Sequence, residues 1–157
     1  MVSEYEKIKP LHILLADDDN DDRYVFNNAL AEIPIQTKLT TVSDGEKLMG
    51  YLANHLQVLP DVLFLDLNMP RKSGSECLAA IKLNKNLKQL PVIIYSTAFN
   101  KYAMDIFYRN GAWHYICKTN FTEFKKNLHH ILLLMLQNKF IQASRENFVL
   151  GRMAEQG

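Results

Sequence analysis

Asp61-Val62-Leu63-Phe64-Leu65-Asp66-Leu67-Asn68-Met69-Pro70 decides the fold. Four apolar residues stand between two aspartates, and a proline ends the stretch. The run is too short for a helix and lacks polar alternation. It therefore predicts a strand covered on both faces. Three other stretches read the same way: Leu11-His12-Ile13-Leu14-Leu15-Ala16, Pro91-Val92-Ile93-Ile94-Tyr95-Ser96 and Trp113-His114-Tyr115-Ile116-Cys117, with Trp113 read as core. A weaker fifth, Lys38-Leu39-Thr40-Thr41-Val42, alternates and suits a sheet edge.

The intervals read as helices. Val25, Phe26, Ala29 and Leu30 recur at helical spacing after Asn20. Ser43-Asp44-Gly45-Glu46 has capping-box spacing ahead of Leu48, Met49 and Leu52, and Ser73-Gly74-Ser75-Glu76 repeats it ahead of Leu78 and Ile81. Tyr102, Ala103, Ile106 and Phe107 form a stripe that Gly111 can close. Phe121, Phe124, Leu128, Ile131, Leu132 and Met135 form the longest. Five βα units result. They predict an α/β fold, a doubly wound parallel sheet with right-handed crossovers and helices on both faces.

Composition narrows the function. The chain has 157 residues, 48% hydrophobic and 22% charged, which fits one globular domain and excludes a disordered or collagenous chain. Eighteen Lys and Arg against 17 Asp and Glu give a net charge of +1, so no bulk field draws it to nucleic acid or a membrane. Cys77 and Cys117 are too few for a disulfide framework. The polar first ten residues hold no signal-peptide core, and the apolar run 131–136 is too short to span a bilayer. A cytoplasmic protein is expected. Its predicted organisation is an arm at 1–10, a domain at 11–137, and a C-terminal tail or helix extension at 138–157. That last stretch carries only Phe140, Ile141, Phe148, Val149, Leu150 and Met153 as large apolar residues.

Ligands of such sheets bind at the carboxyl ends of the strands. Those ends carry Asp17-Asp18-Asp19 with Asp21 and Asp22 close behind, then Asp66, then Ser96-Thr97, then Lys118. Like charges brought together need a cation or a raised pKa. Carboxylates favour a hard ion such as Mg²⁺, and no Cys/His cluster offers zinc. Asp19, Asp21 and Asp22 read as first-turn helix residues favoured by the dipole, whereas Asp17 and Asp18 close a buried strand. An EF-hand fails, because its glycine position holds Asp22 and its bidentate glutamate position holds Asn28. An aspartate can accept a phosphoryl group covalently, and the developing charge calls for a metal and a nearby cation. Asp66 is the candidate acceptor, Lys118 the cation, and Thr97 a hydroxyl donor to a phosphoryl oxygen.

Leu14-Leu15-Ala16-Asp17-Asp18, Asp66-Leu67-Asn68-Met69-Pro70, Ser96-Thr97-Ala98 and Tyr115-Ile116-Cys117-Lys118, with Gly74 and Gly111-Ala112, resemble the receiver domain of two-component response regulators. The resemblance covers roughly residues 10–137. It implies a flavodoxin-like (βα)5 sheet of strand order 2-1-3-4-5. It implies that Asp66 takes phosphate from a sensor histidine kinase or a histidine phosphotransfer protein. Asp18 would ligate Mg²⁺ directly and Asp17 through water, with Asp66 and the Asn68 carbonyl completing the protein ligands. Lys118 would contact the phosphoryl group, and Thr97 would follow it. Tyr115 would be the aromatic that turns inward. The fourth helix, fifth strand and fifth helix, about residues 100–136, would be the face read by an unknown downstream protein or used for a homodimer.

One departure stands out. Thr119 follows Lys118 where the family usually has proline, so a trans bond is expected there. A stand-alone phosphorylation switch is the main reading. A haloacid-dehalogenase-like phosphatase would need an acid at position 68, which is Asn68. A pseudo-receiver would lack part of the acid, acceptor, hydroxyl and lysine set.

Overall fold

The computed structural model describes residues 9–97 and 100–151; Ala98, Met153 and most of the N-terminal arm lie outside the described residues. The first strand, β1 (Leu11–Ala16), leads through α1 (Asn20–Glu32) to β2 (Thr37–Val42) and α2 (Gly45–Asn54). Next come β3 (Val62–Leu65), α3 (Gly74–Leu83), β4 (Val92–Ser96), α4 (Lys101–Arg109), β5 (His114–Cys117) and α5 (Phe121–Leu136). A short β6 (Val149–Leu150) ends the described chain. All pairings are parallel, in the order β2-β1-β3-β4-β5-β6. The five units and the 2-1-3-4-5 order are those expected. The sixth strand is not.

Strand character follows burial. Every residue of β3, β4 and β5 is buried, so their apolar runs do not alternate. Leu14, Ala16, Leu63, Leu65, Val92, Ile94 and Tyr115 point to the layer formed by α2, α3 and α4. Ile13, Leu15, Val62, Phe64, Ile93, Tyr95 and Ile116 point to α1 and α5, where Phe26, Phe64, Tyr95 and Phe124 pack edge-on or tilted. This strict alternation between two cores sets where each strand-end side chain points.

Caps fix the helix starts. Ser73 and Glu76 form the expected capping box. For α2 the cap is Asp44, not Ser43: its carboxylate accepts the Lys47 N–H at 2.8 Å, because the helix begins one residue later than the Ser43/Glu46 spacing requires. In α4 the inward pair is Met104 and Phe107, while Tyr102 is 82% and Ile106 50% exposed. Of the predicted stripe, Ala103 and Phe107 face the core while Tyr102 and Ile106 do not, and Met104 takes the place beside Phe107. Asn110 caps that helix, and Gly111 follows it at φ 96°.

The chain after α5 folds back along β5. Ala143 N–H donates to the Trp113 carbonyl at 3.2 Å, and Tyr115 N–H donates to the Phe148 carbonyl at 3.0 Å. Phe148 is fully buried, edge-on to Tyr108 with 5.4 Å between ring centroids. Arg145 pairs with Asp105 of α4 at 2.5 Å. Trp113 is half-buried and packs on Phe140 of this returning segment rather than in the central core. Gly151 ends it at φ 70°; a Cβ there would lie 2.6 Å from Asn127 Nδ2 and 3.7 Å from Thr119 Oγ1. The segment therefore reaches the loop that follows Lys118.

Candidate functional site

Strand order reverses between β1 and β3, and Asp17 and Asp66 follow those two strands directly. Asp17 N–H donates to the Val42 carbonyl at 3.0 Å, and Asp66 N–H to the Ala16 carbonyl at 2.9 Å, so both are tied to the sheet. Asp17 is fully buried and Asp66 nearly so, while Asp18 is exposed. One carboxylate oxygen from each of the three lies within 4.8 Å of the others. Gly74 lets the backbone close beneath them: a Cβ there would stand 2.3 Å from the Asp66 carbonyl.

Lys118 enters from the end of β5. Its Nζ lies 2.9 Å from Asp17 Oδ2, 2.7 Å from Asp22 Oδ2 and 3.6 Å from Asp66 Oδ1. The ammonium also sits over the Tyr95 ring, 4.6 Å from its centroid. The Lys118–Thr119 bond is trans, as expected, since no cis peptide occurs among the described residues. Arg23 donates to the Asp17 carbonyl and to Asn20 Oδ1.

Electrostatics follow the geometry. Burial pushes the Asp66 carboxyl up from 3.8 to about 6; Lys118 opposes the rise, Asp17 adds to it, the Asn68 backbone opposes it and Asp18 adds to it. Burial alone would lower the Lys118 ammonium, but hydrogen bonds to Asp22 and Asp17 outweigh it and raise its pKa. The Tyr95 phenol is raised by burial and then by the charges of Asp22, Asp17 and Asp66. The donor set is oxygen only, with no sulfur or imidazole in the carboxylate cluster. Such a set fits a hard divalent cation, held by Asp17, Asp18 and Asp66 with the Asn68 carbonyl nearby in sequence.

Two side chains lie differently from what their strand-end and first-turn positions suggest. Thr97 is exposed, whereas Ser96 is fully buried and hydrogen-bonds the Tyr115 side chain. The cause is strand parity. Val92 and Ile94 face the same core as Tyr115, and Ile94 is in register with Tyr115, so the hydroxyl on that face must be at position 96. Period-two counting from Ile94 would have found it. Tyr115 is itself fully buried, stacked on Phe107 at 6.3 Å, and burial pushes its phenol up to about 12. By sequence Asp22 is a plain first-turn aspartate. It is in the first turn, but its carboxylate also meets Lys118. No spacing rule reveals that contact, because the two residues are 96 positions apart.

A parallel 2-1-3-4-5 sheet with three carboxylates and one ammonium at its carboxyl edge defines a receiver-type α/β domain. The model of the response regulator receiver domain matches residues 13–129, and the chain belongs to that family. It is 34% identical over 100 residues to response regulator Rcp1 of Synechocystis sp., covering 61% of this chain and 68% of that protein. It is 27% identical over 126 residues to the probable methanogenesis regulatory protein FilR2 of Methanothrix harundinacea, covering 78% and 81%. Among solved structures it is similar to the phosphorylated cyanobacterial phytochrome response regulator RcpA, with 31% identity and a TM-score of 0.74 over 83% of this chain and 96% of that one. The Mn²⁺-bound form of Rcp1 gives 29% identity and a TM-score of 0.73 over 85% of this chain and 100% of that one. Receiver domains are signalling phosphoacceptors of histidine kinases and bind Mg²⁺ or Mn²⁺ at an acidic pocket. No helix of the described residues is long and apolar enough to cross a membrane.

Proposed function

We propose that Asp66 is the phosphoacceptor of a two-component pathway, and that its modification is read through the α4–β5–α5 side of the domain. One observation carries this reading: the Asp66 carboxylate clusters with Asp17 and Asp18 at the β1/β3 reversal, with the Lys118 ammonium 3.6 Å away. In the proposed step an Asp66 oxygen attacks the phosphorus of a phosphohistidine on the kinase or phosphotransfer protein. The P–N bond breaks, and its electron pair leaves with the imidazole nitrogen, which takes a proton from solvent. Asp66 then carries an acyl phosphate. Lys118 offers its ammonium to the new phosphoryl oxygens. A divalent cation held by Asp17, Asp18, Asp66 and the Asn68 carbonyl would neutralise charge on those oxygens.

The switch hydroxyl in this reading is Ser96, with Thr97 at the surface beside it. A phosphoryl group on Asp66 attracts the Ser96 hydroxyl away from Tyr115, and the Tyr115–Phe107 stack that ties β5 to α4 readjusts. The signal leaves through α4, β5, α5 and the returning segment 138–151. That segment is included because Tyr115 N–H bonds Phe148 and Asp105 pairs with Arg145. A downstream protein, a phosphotransfer protein or a second copy of the chain would read that face.

The test is intact mass after incubation with acetyl phosphate, with and without Mg²⁺. Wild type is expected to gain one phosphate only with Mg²⁺, and Asp66→Asn none. A phosphate retained by Asp66→Asn would overturn the assignment. On phosphorylation, amide shifts over 100–117 are expected to move in Thr97→Ala but to be largely lost in Ser96→Ala. The reverse pattern would restore Thr97 as the switch.

A further inference from the structure

Lys118 has more claims on it than a phosphoryl acceptor requires. Its two hydrogen bonds go to Asp22 at 2.7 Å and Asp17 at 2.9 Å, while Asp66 lies at 3.6 Å, beyond a good N–H···O distance. The Lys118 side chain is 9% exposed and that of Asp22 36%. Asp22 is not one of the three clustered carboxylates. Its place is set independently of the site: Asp19 caps α1 by accepting the Asp22 N–H at 2.9 Å, which holds the first turn against the strand end. Asp21, in the same turn, is exposed and gives an internal comparison.

We propose that Asp22 is a positioning residue for Lys118: in the unphosphorylated protein it holds the ammonium beside Asp17 and away from Asp66, so phosphoryl binding requires the lysine to change partners. The inference rests on the reading of Asp66 as acceptor. An ammonium has three donors. Two are committed to carboxylates, and the Tyr95 ring covers a further side of the group. Asp17 is also drawn to a cation when one binds. Asp22 is then the partner that the lysine must release to serve a phosphoryl oxygen on Asp66. The Asp22 contact thus sets a threshold on activation, acting through Lys118 and never touching the phosphoryl group.

Two measurements test it. The first needs no metal: the Lys118 ammonium is followed by NMR in wild type, Asp22→Asn and Asp21→Asn. Its signal is expected to shift and exchange faster with water in Asp22→Asn, and to stay as in wild type in Asp21→Asn. The second is beryllofluoride titration with Mg²⁺, followed by amide shifts. Asp22→Asn is expected to bind about fivefold tighter than wild type, the scale of one partly exposed ion pair released. Asp21→Asn is expected to stay close to wild type, and the Asp22→Asn gain is expected to vanish in a Lys118→Gln background. Equal tightening by both aspartate variants would reduce the effect to bulk charge and overturn the proposal. Weaker binding by Asp22→Asn would overturn it too, as would an unchanged ammonium signal. Failure of wild type to bind beryllofluoride at all would strike the phosphoacceptor reading instead, and the metal-free spectrum would still decide whether Asp22 holds the lysine.

Discussion

The two edges of the sheet carry opposite solutions to one problem. An edge strand presents unpaired backbone groups and invites wrong pairing. At one edge, β2 is half-exposed, with Lys38 and Thr41 facing solvent and only part of Leu39 and Val42 in the core. At the other, every residue of β5 is buried between the two helical layers, and the chain returns after α5 to add β6 along its outer edge, with Phe148 buried beside it. A polar edge needs no cover; an apolar edge must find one. Here the returning segment pairs the outer edge that the apolar β5 would otherwise leave open.

The contrast can be broken by truncation at each edge. Phe148→Ala is expected to cost about 3–5 kcal/mol, as for a fully buried aromatic, and Leu39→Ala distinctly less, both read from urea unfolding midpoints. Equal losses would mean that Phe148 merely rests on the surface.

The carboxyl end of the sheet sharpens the contrast, because burial there lowers stability. The Asp66 carboxyl is raised from 3.8 to about 6 in the fold. Native protein therefore holds that proton at higher pH than the unfolded chain does. The penalty is complete above pH 6 and disappears as pH falls through 3.8. In metal-free protein Asp66→Asn is expected to raise stability by about 1–3 kcal/mol near neutral pH. The gain is expected to shrink to nothing at the acid end of that window. A pH-independent gain, or a loss at neutral pH, would contradict the assigned shift.

The smallest expected effect is at the ion pair of the returning segment. Arg145 and Asp105 are each more than a third exposed, so Arg145→Ala is expected to cost under about 1 kcal/mol. Its hydrogen exchange over 138–151 should rise while that of β2 stays unchanged. A cost rivalling Phe148→Ala would move the anchor of the returning segment from packing to charge.

These edges also show what was legible. The five units, the two-sided burial of β3 and β4, and the convergence of Asp17, Asp18, Asp66 and Lys118 follow from local apolar runs and their ends. Long-range partners did not. Phe148-Val149-Leu150 is three residues, below the length at which strand character shows, and its role comes only from the uncovered edge of β5. Asp22 carries an ordinary first-turn signal that hides its bond to a lysine far along the chain. Ser96 and Thr97 differ by one residue, and only the parity of β4 against Tyr115 separates them. Local pattern locates the acidic end of the sheet; register and coverage decide which of two neighbours points into it.

The most direct measurement reduces the phosphorylated protein with borohydride, which converts an aspartyl phosphate to homoserine, and maps the product by peptide mass. Homoserine at position 66 alone is the expected result. Homoserine at 17, 18 or 22, or phosphate on a residue that resists reduction, would contradict the assignment of Asp66 as the acceptor.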